Sequence, residues 1–171
     1  MFHKELSHYA EQYRRFVSLR RDDGILEVRL HGHGDDQAPV VWDIEVHHGL
    51  SHVFYDIARD PENQCVIITG TGAGFIEHEE IPNSKPTAEN PDQAVPPLVW
   101  DGVISHGRHL LDNLLNIEVP VIGAVNGPAL YHSELALLSD IVLCSETAAF
   151  QDVPHFYSNI VPGDGIYTNA R

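Results

Sequence analysis

His155 and Asp164 stand nine residues apart in a turn-rich stretch, where Gln151-Asp152-Val153-Pro154-His155-Phe156 leads on to Val161-Pro162-Gly163-Asp164-Gly165. A histidine titrates near pH 6.5 or so, which leaves much of it neutral at pH 7 and able to take a proton from water. A carboxylate on its other ring nitrogen fixes the tautomer and stabilises the imidazolium, and general-base help of this kind contributes about 10²–10⁴-fold. The competing reading is a structural histidine beside a capping aspartate, and the pair by itself leaves the two evenly matched. Trp42, His47 and His132 carry complementary chemistry. An indole N–H only donates, so it can hold a carbonyl or enolate oxygen without competing for the proton. Each of the three also has a plainer reading. Trp42 fits a core aromatic at a strand end, and His132 fits a cap for a short helix. His47 adjoins His48, and only one of two neighbours can face a given pocket.

Composition narrows the class of protein that must hold these groups. The 171 residues suit one domain, 1–171, with room for a real core. Hydrophobic residues at 43% and charged residues at 20% fit a folded globular chain rather than a disordered one. A formal net charge of −15 argues against nucleic acid or an anionic membrane as partner, since both need basic patches. No apolar run is long enough for a bilayer span and no secretory signal is visible. Cys65 and Cys144 lie in apolar runs and read as buried free thiols of a reducing, cytoplasmic environment. Among 12 histidines, His31-Gly32-His33 with Asp35 and Asp36, and His106 with His109, have spacings that invite zinc. They lack thiolates and fit solvated polar patches, so neither a metal nor another cofactor is expected, and His33 is expected to be dispensable. The run Glu77-His78-Glu79-Glu80 reads as a solvated turn.

Periodicity supplies the elements that position the candidates. Leu6, Tyr9, Tyr13 and Phe16 predict an amphipathic helix within residues 1–16. Val17–Arg21, Asp22-Asp23-Gly24 and Ile25–His31 predict a hairpin. Val40-Val41-Trp42 is a short strand, followed by a helix over about 43–59. Cys65–Thr69 is an apolar strand that stops at Gly70-Thr71-Gly72-Ala73-Gly74. That glycine run has neither the dinucleotide nor the phosphate-loop spacing and is a tight strand exit, with amides that can face a ligand. Residues 82–97 hold five prolines and predict a mobile loop. A helix over about 98–116, a strand Val119–Val125, a short helix over about 132–138 and a strand Asp140–Cys144 complete the pattern. Strands alternating with helices imply right-handed crossovers and an α/β fold.

Three segments then resemble the crotonase (enoyl-CoA hydratase/isomerase) superfamily: Ile67-Ile68-Thr69-Gly70-Thr71-Gly72-Ala73-Gly74-Phe75, Pro120 to Leu130 around Asn126-Gly127-Pro128, and Ser139-Asp140-Ile141-Val142-Leu143. The resemblance covers roughly residues 15–171. It implies a ββα spiral, an oxyanion hole of backbone amides with one donor near the amide of Glu79, and trimers or trimer pairs. Two departures stand out. Tyr131-His132-Ser133 replaces the glycine-rich segment that usually follows the Asn-Gly turn, and His155 falls near the position of the hydratase glutamate. Both are features of the carbon–carbon hydrolase branch, the 6-oxocamphor hydrolase-like β-diketone hydrolases. By that resemblance His155 and Asp164 activate water, His132 and Trp42 hold a carbonyl oxygen, and His47 lines the same pocket. A further glutamate of that branch, and the C-terminal trimerisation helices, have no counterpart before Arg171. A fragment, a truncated sequence and a short natural variant all fit.

The resemblance therefore implies a hydrolase that cleaves a carbon–carbon bond of a cyclic β-diketone. The expected partner is a neutral, compact diketone in an apolar pocket near Trp42 and Phe156, and the expected assembly is a homotrimer or hexamer. Two alternatives stay open: an acyl-CoA hydratase or isomerase, and a non-catalytic crotonase-like assembly module.

Overall fold

The computed structural model describes residues 4–80 and 97–151, with backbone alone for 97–100 and 103. His155, Phe156, Asp164 and nearly all of the proline-rich segment lie outside the described residues. Helix α1 spans Leu6–Tyr13 and buries Tyr9 and Tyr13, the positions its periodicity selects. Strands β1 (Val17–Asp22) and β2 (Ile25–Leu30) form the hairpin in the register Asp22↔Ile25. Its turn places Asp23 at φ 44° and Gly24 at φ 79°. Two consecutive positive φ values are the signature of a type I′ turn, which Asp-Gly adopts readily.

Strand β3 (Val41–Trp42) leads into helix α2 (Ile44–Ile57), and β4 (Cys65–Gly70) follows. In α2, Val46, Leu50, Val53, Phe54 and Ile57 are buried along one stripe. Asp43 caps its start by accepting the Val46 N–H at 2.8 Å, an N-cap of ordinary geometry. After β4 come β5 (His78–Glu79), α3 (Pro97–Leu115), β6 (Val121–Val125), α4 (Glu134–Leu137) and β7 (Ile141–Cys144). The described part of α3 begins at Pro97.

The main sheet has the order β1-β2-β4-β6-β7. The hairpin is antiparallel, and the other pairings are parallel. Helices α2 and α3 pack together, and Asn113 Nδ2 donates to the Ser51 carbonyl at 2.8 Å. No helix among the described residues is long and apolar enough to cross a membrane.

Two expectations change, and a third element gains a partner. Residues 78–79 form a strand paired in parallel with β3, not a solvated turn. Cys144, expected to be buried, is exposed on β7, while Cys65 is partly buried and both thiols are free. The glycine run after β4 is tied to the protein itself. Asn126 Oδ1 accepts the Gly70 N–H at 3.1 Å, and Asn126 Nδ2 donates to Gly72 O and Gly74 O at 3.0 and 2.8 Å. A Cβ at Gly127 would overlap the Ala73 carbonyl oxygen. The two glycine-bearing loops need small residues because their backbones touch.

Candidate functional site

Parallel strands all point the same way, so the connections after them gather at one end of the sheet. That end is where open α/β sheets bind ligands. Trp42 lies in the connection after β2, Glu79 in the one after β4, and His132 in the one after β6. Backbone hydrogen bonds join the three. Trp42 and Glu79 are direct partners across the β3–β5 ladder, and the Glu80 N–H donates to Trp42 O at 2.8 Å. Ile76 bridges to Ala129, and Leu130 N–H donates to Ile76 O at 2.9 Å. Ala129 bridges in turn to Phe150, with Gln151 N–H donating to Ala129 O at 3.1 Å. The chain therefore arrives at Gln151 beside the strand that leads to His132.

Three rings meet at this place. The imidazole of His132 stacks on the indole of Trp42, with centroids 3.9 Å apart and planes 24° from parallel. His47, in the first turns of α2, stands edge-on to both, 5.8 Å from Trp42 and 5.5 Å from His132. All three residues are buried. Asp43 fixes the helix start that carries His47, and Trp42 is its neighbour in sequence. The structure thus brings together Trp42, His47 and His132, and sets Glu79 directly across the ladder from Trp42.

The N-cap residue of α4 is Ser133, and the His132 carbonyl accepts the Leu135 N–H at 3.1 Å. The backbone of His132 sits at φ 47°, in the left-handed region that histidine adopts more readily than most residues but at some cost. Its Nδ1 lies 2.6 Å from Glu134 Oε1, and the two side chains are each 7% exposed. A carboxylate only accepts, so Nδ1 carries the proton. Glu134 was not singled out from the sequence. The available signal was a charged residue beside the apolar run Leu135-Ala136-Leu137-Leu138, two positions after a candidate histidine.

The other histidine groups resolve differently. His31 Nδ1 donates to the Gly32 carbonyl at 2.8 Å. His33 Nε2 donates to Asp43 Oδ2 at 2.7 Å, so it braces the cap of the helix that carries His47. His48 faces away from the site and stacks on His106 of α3, with centroids 3.7 Å apart. Burial first, then His106 and His52, hold the His48 pKa below its ordinary value. Burial first, then His52 and His109, lower that of His106. Among the described residues no group of three or more potential ligands is arranged to hold a metal ion. Two open grooves of about 750 and 770 Å³ border β1, one beside α1 and one beside β2, and neither includes Trp42, His47 or His132.

No protein-family model matches the chain. Carnitinyl-CoA dehydratase of Escherichia coli K12 is 31% identical over 150 residues, covering 87% of this chain and 52% of that protein. The solved structure of a β-diketone hydrolase from the cyanobacterium Anabaena sp. PCC 7120, bound to (S)-3-oxocyclohexyl acetic acid, is 41% identical with a TM-score of 0.80. That likeness covers 93% of this chain and 60% of the other. An enoyl-CoA hydratase/isomerase from Mycobacterium paratuberculosis shares the fold at 24% identity and a TM-score of 0.70, over 88% of this chain and 57% of the other. The chain spans about half the length of the curated relatives it matches. The parallel-rich sheet and these likenesses place the chain in the crotonase superfamily.

Proposed function

We propose that this chain carries the core of a hydrolase that cleaves a carbon–carbon bond of a β-diketone by retro-Claisen addition of water. One observation carries the reading. Trp42, His47 and His132 converge in a single buried cluster, in a chain 41% identical to a β-diketone hydrolase. Water adds its oxygen to one carbonyl carbon as His155, oriented by Asp164, takes a proton. The tetrahedral adduct then expels the carbon between the two carbonyls. The electron pair of the broken bond passes to the second carbonyl as an enolate, and that carbon takes a proton back. The balance is one diketone plus one water giving one keto acid, with no external oxidant or cofactor. Trp42 and His132 hold the enolate oxygen by donating to it, and a preorganised donor of this kind is worth about 3–4 kcal/mol in the barrier.

The keto acid in the Anabaena structure points to a substrate class. Joining its carboxyl carbon to the ring carbon beside the ketone and across from the side chain, with loss of water, gives a bicyclic 1,3-diketone. We assign a substrate of that class, neutral and compact, to this site. The fitting assembly is a homotrimer or hexamer, which light scattering tests.

The second reading is acyl-CoA hydration or dehydration, favoured by the carnitinyl-CoA dehydratase relatives. Against it stands His132, whose imidazole follows the Asn126-Gly127 turn where CoA enzymes of the superfamily typically carry glycine. Formation of the keto acid from a bicyclic 1,3-diketone, followed by chromatography and run beside hydration of an enoyl-CoA, separates the two. Diketone turnover is expected, with His155→Ala and Asp164→Asn each lowering kcat by about 10²–10⁴-fold. Turnover of the thioester alone would overturn the reading, and wild-type diketone turnover in both variants would overturn the site assignment.

A further inference from the structure

Glu134 is a buried carboxylate that the chemistry above leaves unused. It opens the short helix α4, and its Oε1 lies 2.6 Å from Nδ1 of His132. We propose that Glu134 is a positioning residue that holds His132 as an imidazolium, turning its Nε2–H into the donor for the substrate's enolate oxygen. The inference rests on the β-diketone reading for the identity of that oxygen, but not for the state of the ring.

With Nδ1 protonated toward Glu134, His132 has two states. In the neutral ring Nε2 is a lone pair, which can only accept and would repel an enolate oxygen. In the imidazolium Nε2 carries a proton and donates. Three features select the second state. A charge-assisted bond to a carboxylate is stronger than a neutral one and favours the cation. The indole of Trp42 lies stacked on the ring at 3.9 Å, and an indole face attracts a cation. Glu134 is itself buried, so its charge is poorly hydrated and is stabilised by a cation at contact. Among the described residues, His47 stands edge-on to the ring from α2, and Glu79 lies across the ladder from Trp42.

The backbone explains how a residue two positions away can do this. Side chains at i and i+2 do not face each other on a regular helix. The left-handed turn at His132, φ 47°, breaks that rule before α4 begins and swings the ring onto Glu134. The strained backbone and the buried acid are parts of one device.

The test uses the chain labelled with ¹⁵N-histidine. Long-range proton–nitrogen spectra show the protonation of each ring nitrogen, and His132 is assigned by the signal lost in His132→Asn. At pH 7 both nitrogens of His132 are expected to be protonated. In Glu134→Gln, whose amide oxygen still accepts from Nδ1, the Nε2 proton is expected to be lost. With diketone, that variant is expected to lower kcat by about 100-fold with KM nearly unchanged, and Glu134→Asp to restore part of the loss. A bare Nε2 in the wild-type chain overturns the proposal, even if the variants fail to fold. An unchanged His132 spectrum in Glu134→Gln also overturns it. Absence of diketone turnover in the wild-type chain overturns the functional reading instead, and leaves the spectra to decide the state of His132.

Discussion

His47 and His48 are neighbours on one helix, yet they belong to two histidine clusters of opposite character. One residue of helix advance turns a side chain by about 100°. That rotation sends His47 toward Trp42 and His132, and His48 toward His106 on α3. The first cluster contains a buried carboxylate, Glu134, bonded to an imidazole. In the second, the stacked pair of His48 and His106 has further histidines, His52 and His109, as its charged neighbours. Stacked rings of like potential charge suppress protonation, whereas a ring paired with a carboxylate invites it. Burying histidines does not by itself make a site. The partner at the other ring nitrogen decides what the imidazole can do.

The sharpest way to break this contrast is kinetic. His132→Ala should lower kcat on a diketone by about 10²–10³-fold, the usual loss on removing a preorganised donor. His48→Ala should leave turnover within about threefold, since its ring lies outside the site. Equal losses in the two variants would erase the distinction between the clusters.

A smaller effect tests how α2 is anchored between them. Asp43→Ala removes the helix cap and should cost about 1 kcal/mol by chemical denaturation. His33→Ala should cost less, about 0.5 kcal/mol, by freeing one oxygen of the same carboxylate. Turnover should fall modestly in both variants because His47 rides on the loosened first turn. No change in turnover would show that the site does not depend on this brace.

The smallest effect is the pH response of the second cluster. The folded pKa values of His48 and His106 lie below the ordinary histidine value. The unfolded chain therefore binds more protons below about pH 6.5, and stability falls as pH drops through that point until the folded groups titrate too. Above that point the effect vanishes. Urea midpoints at mildly acidic and neutral pH should differ less in His106→Gln than in the wild type. Partial exposure of both rings keeps the effect modest.

Much of the fold could be read from the chain because its cues are local. The Val46-Leu50-Val53-Phe54-Ile57 stripe, the Asp23-Gly24 turn and the apolar runs of β4 and β6 each declare their structure within a few residues. The grouping of Trp42, His47 and His132 was visible only through a resemblance, since nothing within any one segment says that three crossovers end at the same place. Strand β5 was missed because a two-residue strand has no period, and its partner β3 lies far away in sequence. Cys144 was misplaced because an apolar strand does not announce that it will lie exposed at the edge of the described sheet.

The sequence by itself determined the order of the elements other than β5, the α/β class, the acidic balance and the supply of histidines, because propensity, period and charge are properties of neighbouring residues. Only the tertiary structure decided which histidine enters the site, that Glu134 grips His132, and that Asn126 bonds the glycine loop. Those outcomes depend on the direction of side chains across a left-handed turn and on contacts between segments dozens of residues apart, and neither is written in any local stretch of the chain.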